Sequence, residues 1–98
     1  MPYRVQVEPL ATRQIASWNL SDFVLTEVLL RLHQTLRDNP SALLERTEQP
    51  FDGMSYPFGL IDPENRLCQH FFRFHVLYAA DETTLFVARG AYGKTVGA

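Results

Sequence analysis

The single cysteine, Cys68, allows no internal disulfide, and with no second cysteine nearby it is no half of a zinc pair; it is expected to be a small buried hydrophobe. Long apolar runs are missing too. None approaches the roughly 18 consecutive residues a membrane span needs, and the opening Met1-Pro2-Tyr3-Arg4-Val5 lacks the apolar segment of a signal peptide. A cytoplasmic address is the expectation. Excess charge is small: a net −2 argues against a protein that coats nucleic acid through bulk electrostatics. There is no glycine-rich phosphate loop, no nucleophile elbow, no internal repeat and no low-complexity tract. His33, His70 and His75 show none of the short spacings of a metal site, so neither a metal nor a cofactor is expected.

What the chain does have is 98 residues, 46% hydrophobic and 12% aromatic, enough for one modest core in a single domain over residues 1–98. Its charge is unevenly spread. Residues 1–65 carry five Arg against nine Asp or Glu, a net of −4, whereas residues 66–98 carry Arg66, Arg73, Arg89 and Lys94 against Asp81 and Glu82, a net of +2. An anion, if bound, belongs on the last third.

Tyr3-Arg4-Val5-Gln6-Val7-Glu8 alternates as a half-buried strand does, and after Pro9 the spacing of Ala11, Ile15 and Trp18 predicts a short helix over residues 10–18. Ser21 is a good N-cap, and Asp22 in the first turn suits the helix dipole. The helix that follows shows an apolar stripe of Leu25, Val28, Leu29, Leu32 and Leu36, with Glu27, Arg31, Gln34 and Arg37 facing away. His33 lies beside that stripe in a packing position. Asp38-Asn39-Pro40 ends the helix, Asn39 being tolerant of the left-handed closing conformation. Residues 41–54 read as a connection with a helical turn at Ala42-Leu43-Leu44-Glu45.

From Ser55 the period is that of strands: Tyr56 to Ile61, a turn at Asp62-Pro63-Glu64-Asn65, Arg66 to Ala79, a tight connection near Asp81-Glu82-Thr83, and Leu85 to Arg89. Gly90, Gly93 and Gly97 make residues 90–98 a tail expected to be mobile unless a partner orders it. The fold class is α+β, in the order β-α-α-β-β-β: an antiparallel meander packed against two helices, which the first strand joins by crossing over them.

The long strand has two faces. Phe72, Phe74, Val76 and Tyr78 form the core face; Phe71, Arg73, His75 and Leu77 form the other, since a buried Arg73 or His75 would need a partner for its polar groups. His70 falls on the core face and is given no chemistry. A three-residue loop at 81–83 pairs Tyr78 with Phe86, Val76 with Ala88 and His75 with Arg89; a loop one residue shorter or longer would bury Arg89 opposite Phe74. Arg73, His75 and Arg89 then share the open face, with Tyr92 and Lys94 just beyond the strand end. Guanidinium groups, an imidazole and a phenol can bind a phosphodiester and move a proton. Solvated surface charges would satisfy the same pattern.

Over nearly the whole chain, several strings in this order resemble the RelE/ParE toxin superfamily: Val5-Gln6-Val7-Glu8-Pro9-Leu10-Ala11 with Arg13-Gln14-Ile15, Leu36-Arg37-Asp38-Asn39-Pro40, and Phe74-His75-Val76-Leu77-Tyr78 before an acidic turn. The resemblance implies a toxin of a type II toxin-antitoxin system, held inactive by a cognate antitoxin. Its RelE-like branch enters the ribosomal A site and cleaves mRNA, and its ParE-like branch poisons DNA gyrase. Leu85 to Tyr92 resembles the last strand of the YoeB-like ribonucleases, with Arg89 and Tyr92 on their Arg and terminal Tyr; Ala91 replaces their histidine, and His75 stands where Arg is usual. By this resemblance Arg73, His75, Arg89 and Tyr92 are the catalytic candidates, with Arg66 and Lys94 as further RNA-binding cations. Two functions follow, a ribosome-dependent mRNA endonuclease, or a non-nucleolytic toxin or antitoxin-binding module of the same fold.

Overall fold

The computed structural model describes residues 3–46, 54–78 and 83–97. Strand β1 (Arg4–Val7) opens the chain, and Pro9 starts helix α1 (Pro9–Ser17) where its fixed φ and missing N–H cost no hydrogen bond. Asn19, with φ 52°, holds the left-handed conformation that turns the chain away after α1. Ser21 caps α2 (Asp22–Leu30), its hydroxyl accepting from the Val24 amide at 3.4 Å.

The helix continues through a π-helical segment, Arg31–Thr35, into α3 (Leu36–Asp38). Its buried residues are Val24, Val28, Leu32 and Leu36, spaced four apart. Four residues overshoot an α-helical turn by about 40°, so such a stripe would wind away from the sheet. The wider π turn absorbs the excess and keeps Leu32 and Leu36 in line with the residues before them. The expected stripe is corrected accordingly: Val24 is in the core, Leu25 packs at its margin, and Leu29 is 37% exposed. Asn39 breaks α3 at φ −150°, not in the left-handed region expected of it, and Pro40 begins another turn, α4 (Pro40–Leu43), two residues earlier than the sequence suggested.

Strands β2 (Glu45–Arg46), β3 (Met54–Ile61), β4 (Cys68–Tyr78) and β5 (Thr84–Val96) complete a five-stranded sheet ordered β1-β5-β4-β3-β2. The meander is antiparallel, and β1 crosses over the helices to pair in parallel with β5, Val5 beside Leu85 and Val7 beside Val87. This is the expected α+β architecture, with β2 added at the edge. Residues 47–53 of the connecting loop, Ala79, and the Asp81-Glu82 part of the last turn lie outside the described residues.

β5 departs from expectation at both ends. Arg89 does pair with His75, but a bulge between His75 and Val76 puts Val76 opposite Val87 and Tyr78 opposite Leu85, where an unbroken register would have placed Ala88 and Phe86. The extra residue turns Leu85 and Val87, both 0% exposed, into the core while Arg89 stays outside. Nor does the strand end at Arg89: it runs on beside β4 to Val96, opposite Cys68, so residues 90–96 are sheet and not a free tail. A glycine weakens a strand by only about 0.5–1 kcal/mol, and Gly90 is required by space. A Cβ there would lie 2.6 Å from the Phe74 ring and 3.0 Å from Trp18.

The core lies between the helices and the face carrying Phe72, Phe74 and Val76. Tyr78 shares that face but sits at its margin, 41% exposed, edge-on to Tyr3. Trp18 closes the other end against Phe72, Phe74 and Tyr92. Leu32→Ala or Phe74→Ala should cost about 2–5 kcal/mol through the cavity each leaves. Gly90→Ala should cost about 1–3 kcal/mol by overpacking. Urea unfolding of the three variants measures all of these, and an unaffected Gly90→Ala would contradict the close approach of Trp18 and Phe74.

Candidate functional site

Three of the expected site residues come together on the face of the sheet opposite the helices. Ser55, His75 and Arg89 form one cross-strand row on β3, β4 and β5, and Pro57, Arg73 and Ala91 form the next. The bulge in β5 is what aims Arg89 outward beside His75. Arg73 Nη1 donates to Ser55 Oγ at 2.7 Å, which fixes one guanidinium of the group. Between them is a depression of about 190 Å³ lined by Ser55, Arg73, Phe74, His75, Arg89, Gly90 and Ala91. Sites that enclose whole organic ligands run to roughly 300–1,000 Å³, so this one suits a group of phosphate size. A second hollow of about 420 Å³ adjoins it across Arg73 and Ala91 and reaches Pro57, Phe71 and Gly93. Paired guanidinium groups favour a planar or tetrahedral oxyanion, and an imidazole can exchange a proton near neutral pH.

Tyr92 and Lys94 are not part of this cluster. Because β5 continues as a strand, side chains keep alternating past Arg89, and both residues fall on the helix-covered side. Tyr92 stacks on Trp18 at 5.4 Å and leans on Phe72 at 5.2 Å. Arg66 stands exposed in the turn before β4, and Lys94 pairs with His70, five residues along β4 from His75, or about 17 Å away. The four candidate catalytic residues thus divide three to one between the faces, and the two further cations gather at the far end.

That far end holds what sequence reasoning missed. His70, 7% exposed, has Nδ1 2.7 Å from the Tyr92 hydroxyl and Nε2 3.0 Å from Asp62 Oδ2. Asp62 is held by the hairpin: its Oδ1 accepts from the amides of Glu64 and Asn65, and its own amide donates to the Cys68 carbonyl. The His70 hydrogen bond, chiefly, lowers the Asp62 pKa, the turn amides helping, while burial raises that of Tyr92. An ionised Asp62 only accepts, so Nε2 carries a hydrogen toward it, while Nδ1 and the Tyr92 hydroxyl share a second hydrogen bond. A sequence signal existed in Cys68-Gln69-His70, two side chains on one strand face, but Asp62 and Tyr92 join them only through hairpin geometry and register.

Removing the Tyr92 hydroxyl leaves a buried imidazole nitrogen without its partner. Tyr92→Phe should therefore cost about 1–3 kcal/mol. In a His70→Phe background the same change should cost less, giving a coupling energy of about 0.5–3 kcal/mol in a double-mutant cycle. Additive losses would show that the 2.7 Å contact does not operate in solution.

Among the described residues no helix is long and apolar enough to cross a membrane. No protein-family model matches the chain, and no curated protein matches it in sequence. Among solved structures, a chain of the toxin-antitoxin complex RelBE2 of Mycobacterium tuberculosis superposes with a TM-score of 0.74, over 95% of this chain and 100% of that one, at 18% identity. Identity that low speaks for backbone architecture and not for shared side-chain chemistry. The five-stranded sheet ordered β1-β5-β4-β3-β2, with its helices on one face, is thus a fold this chain shares with that chain of the RelBE2 complex.

Proposed function

We propose that this chain is a single-domain, cytoplasmic toxin of a toxin-antitoxin pair that cleaves ribosome-bound mRNA at the open face of its sheet. The observation that carries the reading is the grouping of Arg73, His75 and Arg89 around a phosphate-sized depression, on a fold that resembles a chain of a toxin-antitoxin complex. An RNA strand brings its own nucleophile, the 2′-hydroxyl. The protein must add charge stabilisation for the phosphate oxygens and a group to take the hydroxyl proton. Arg73 and Arg89 supply the first and His75 the second, with Ser55 steadying Arg73; as the 2′-oxygen bonds to phosphorus, the bond to the 5′-oxygen breaks and that leaving oxygen takes a proton from solvent. A cognate antitoxin is the partner expected to restrain it.

One observation favours the second reading, a non-nucleolytic toxin or antitoxin-binding module acting on a protein target such as gyrase. Tyr92, the other acid-base candidate, is engaged with His70 on the opposite face, which leaves His75 alone of the two beside Arg73 and Arg89. The net charge of −2 points the same way, since docking on ribosomal RNA favours a basic surface.

Induced expression separates the two. The nuclease reading expects growth arrest with new mRNA 5′ ends, relieved by Arg89→Ala or Arg73→Ala by a factor of about 10² or more, and weakened by His75→Ala. At matched soluble levels Tyr92→Phe should still arrest growth. Arrest without new 5′ ends, indifferent to Arg89→Ala, would instead establish a protein target.

A further inference from the structure

Asp62, Cys68 and His70 place a carboxylate oxygen, a thiol sulfur and an imidazole nitrogen within 4.8 Å of one another, away from the open face and independent of the function proposed there. We propose that these three side chains form a binding site for a thiophilic divalent cation of the zinc class, with the fourth position open to water.

The geometry is close to what such an ion needs. Zinc bonds of about 2.3 Å to sulfur and 2.0–2.1 Å to nitrogen or oxygen, arranged tetrahedrally, set ligand atoms roughly 3.3–3.6 Å apart. Here His70 Nε2 lies 3.0 Å from Asp62 Oδ2 and 3.9 Å from Cys68 Sγ, so small side-chain adjustments suffice. Cys68 and His70, two apart on β4, project from one strand face, and both are 7% exposed. The Asp62 side chain, at 22%, leaves an opening to solvent for the ion and its water.

An independent feature concerns the atoms that would not bind metal. The two turn amides occupy Oδ1 of Asp62, which aims Oδ2 at the cluster, and the Tyr92 hydroxyl occupies Nδ1 of His70, which aims Nε2 there. Metal-ligating histidines are oriented in this way by a partner on the other ring nitrogen. On binding, Nε2 gives up its hydrogen, the ring carries it on Nδ1, and Tyr92 becomes the acceptor. The Cys68 thiol releases its proton to solvent. Thiolate and carboxylate then balance the two charges of the ion, which replaces a shared proton as the link between the β3–β4 turn and the sheet. Strand alternation and a hairpin bring these three different donors together, a grouping that neither the spacing of the histidines nor the lone cysteine displays in the sequence.

The test is a cobalt(II) titration of the full chain after chelator treatment. One tightly bound cobalt per chain should give tetrahedral d–d bands and an intense sulfur-to-cobalt charge-transfer band, and zinc should displace it. Cys68→Ser, with its fold checked by circular dichroism, should lose the charge-transfer band. Tyr92→Phe should retain the spectrum while weakening zinc affinity about tenfold or more, as loss of an orienting partner does. A wild-type cobalt spectrum without charge transfer at millimolar metal would overturn the proposal. So would zinc affinity unchanged in both Cys68→Ser and His70→Gln, because the ion would then be held elsewhere.

Discussion

Val87 and Arg89 stand two residues apart on one strand, and simple alternation would put both on the same face. One of them would then be wrong: a cation in the core beside Phe74, or a valine and a leucine facing water. The bulge opposite His75 resolves the conflict by adding one residue between them. Everything downstream depends on this step. It seats Leu85 and Val87 under the helices, lets β1 pair in register with Val5 and Val7 facing the same core, and presents Arg89 beside His75. Just past it, Gln14 of α1 accepts the Gly90 amide at 2.7 Å, tying the helix layer to the strand where the register changes.

The sheet is thereby divided into two chemically different regions. On the open face, cations are solvent-exposed and can meet an anion without the desolvation cost that a buried arginine would carry. On the helix side, at the other end, an imidazole lies buried at the rim of an aromatic cluster with hydrogen-bond partners on both nitrogens. Such a group is costly to leave unsatisfied, so Asp62 and Tyr92 hold the β3–β4 turn, β4 and β5 in one arrangement. The aromatic stack of Trp18, Phe72 and Tyr92 connects that arrangement to the end of α1.

The sequence by itself determined the principal helices and the central parts of β1, β3, β4 and β5, though not β2 or the continuation of β5 past Arg89, because binary patterning and caps act locally: Ser21 at the start of α2, Pro40 after its continuation, alternation through β4. It also determined that Arg73 and His75 lie on the face away from Phe72 and Phe74, since alternation and the cost of burying charge agree. The crossover of β1 followed from element order. Only the tertiary structure decided the rest. The π turn that selects Val24 over Leu29 answers to the sheet beneath it, and no local pattern contains that surface. The bulge depends on which side chains β4 presents. The face of Tyr92 depends on β5 finding a partner as far as Cys68, despite its glycines. The Asp62–His70–Tyr92 chain draws on a turn and two strands spanning 31 positions, from Asp62 to Tyr92, and hydrogen bonds of that reach are set by register, which a one-dimensional reading does not fix.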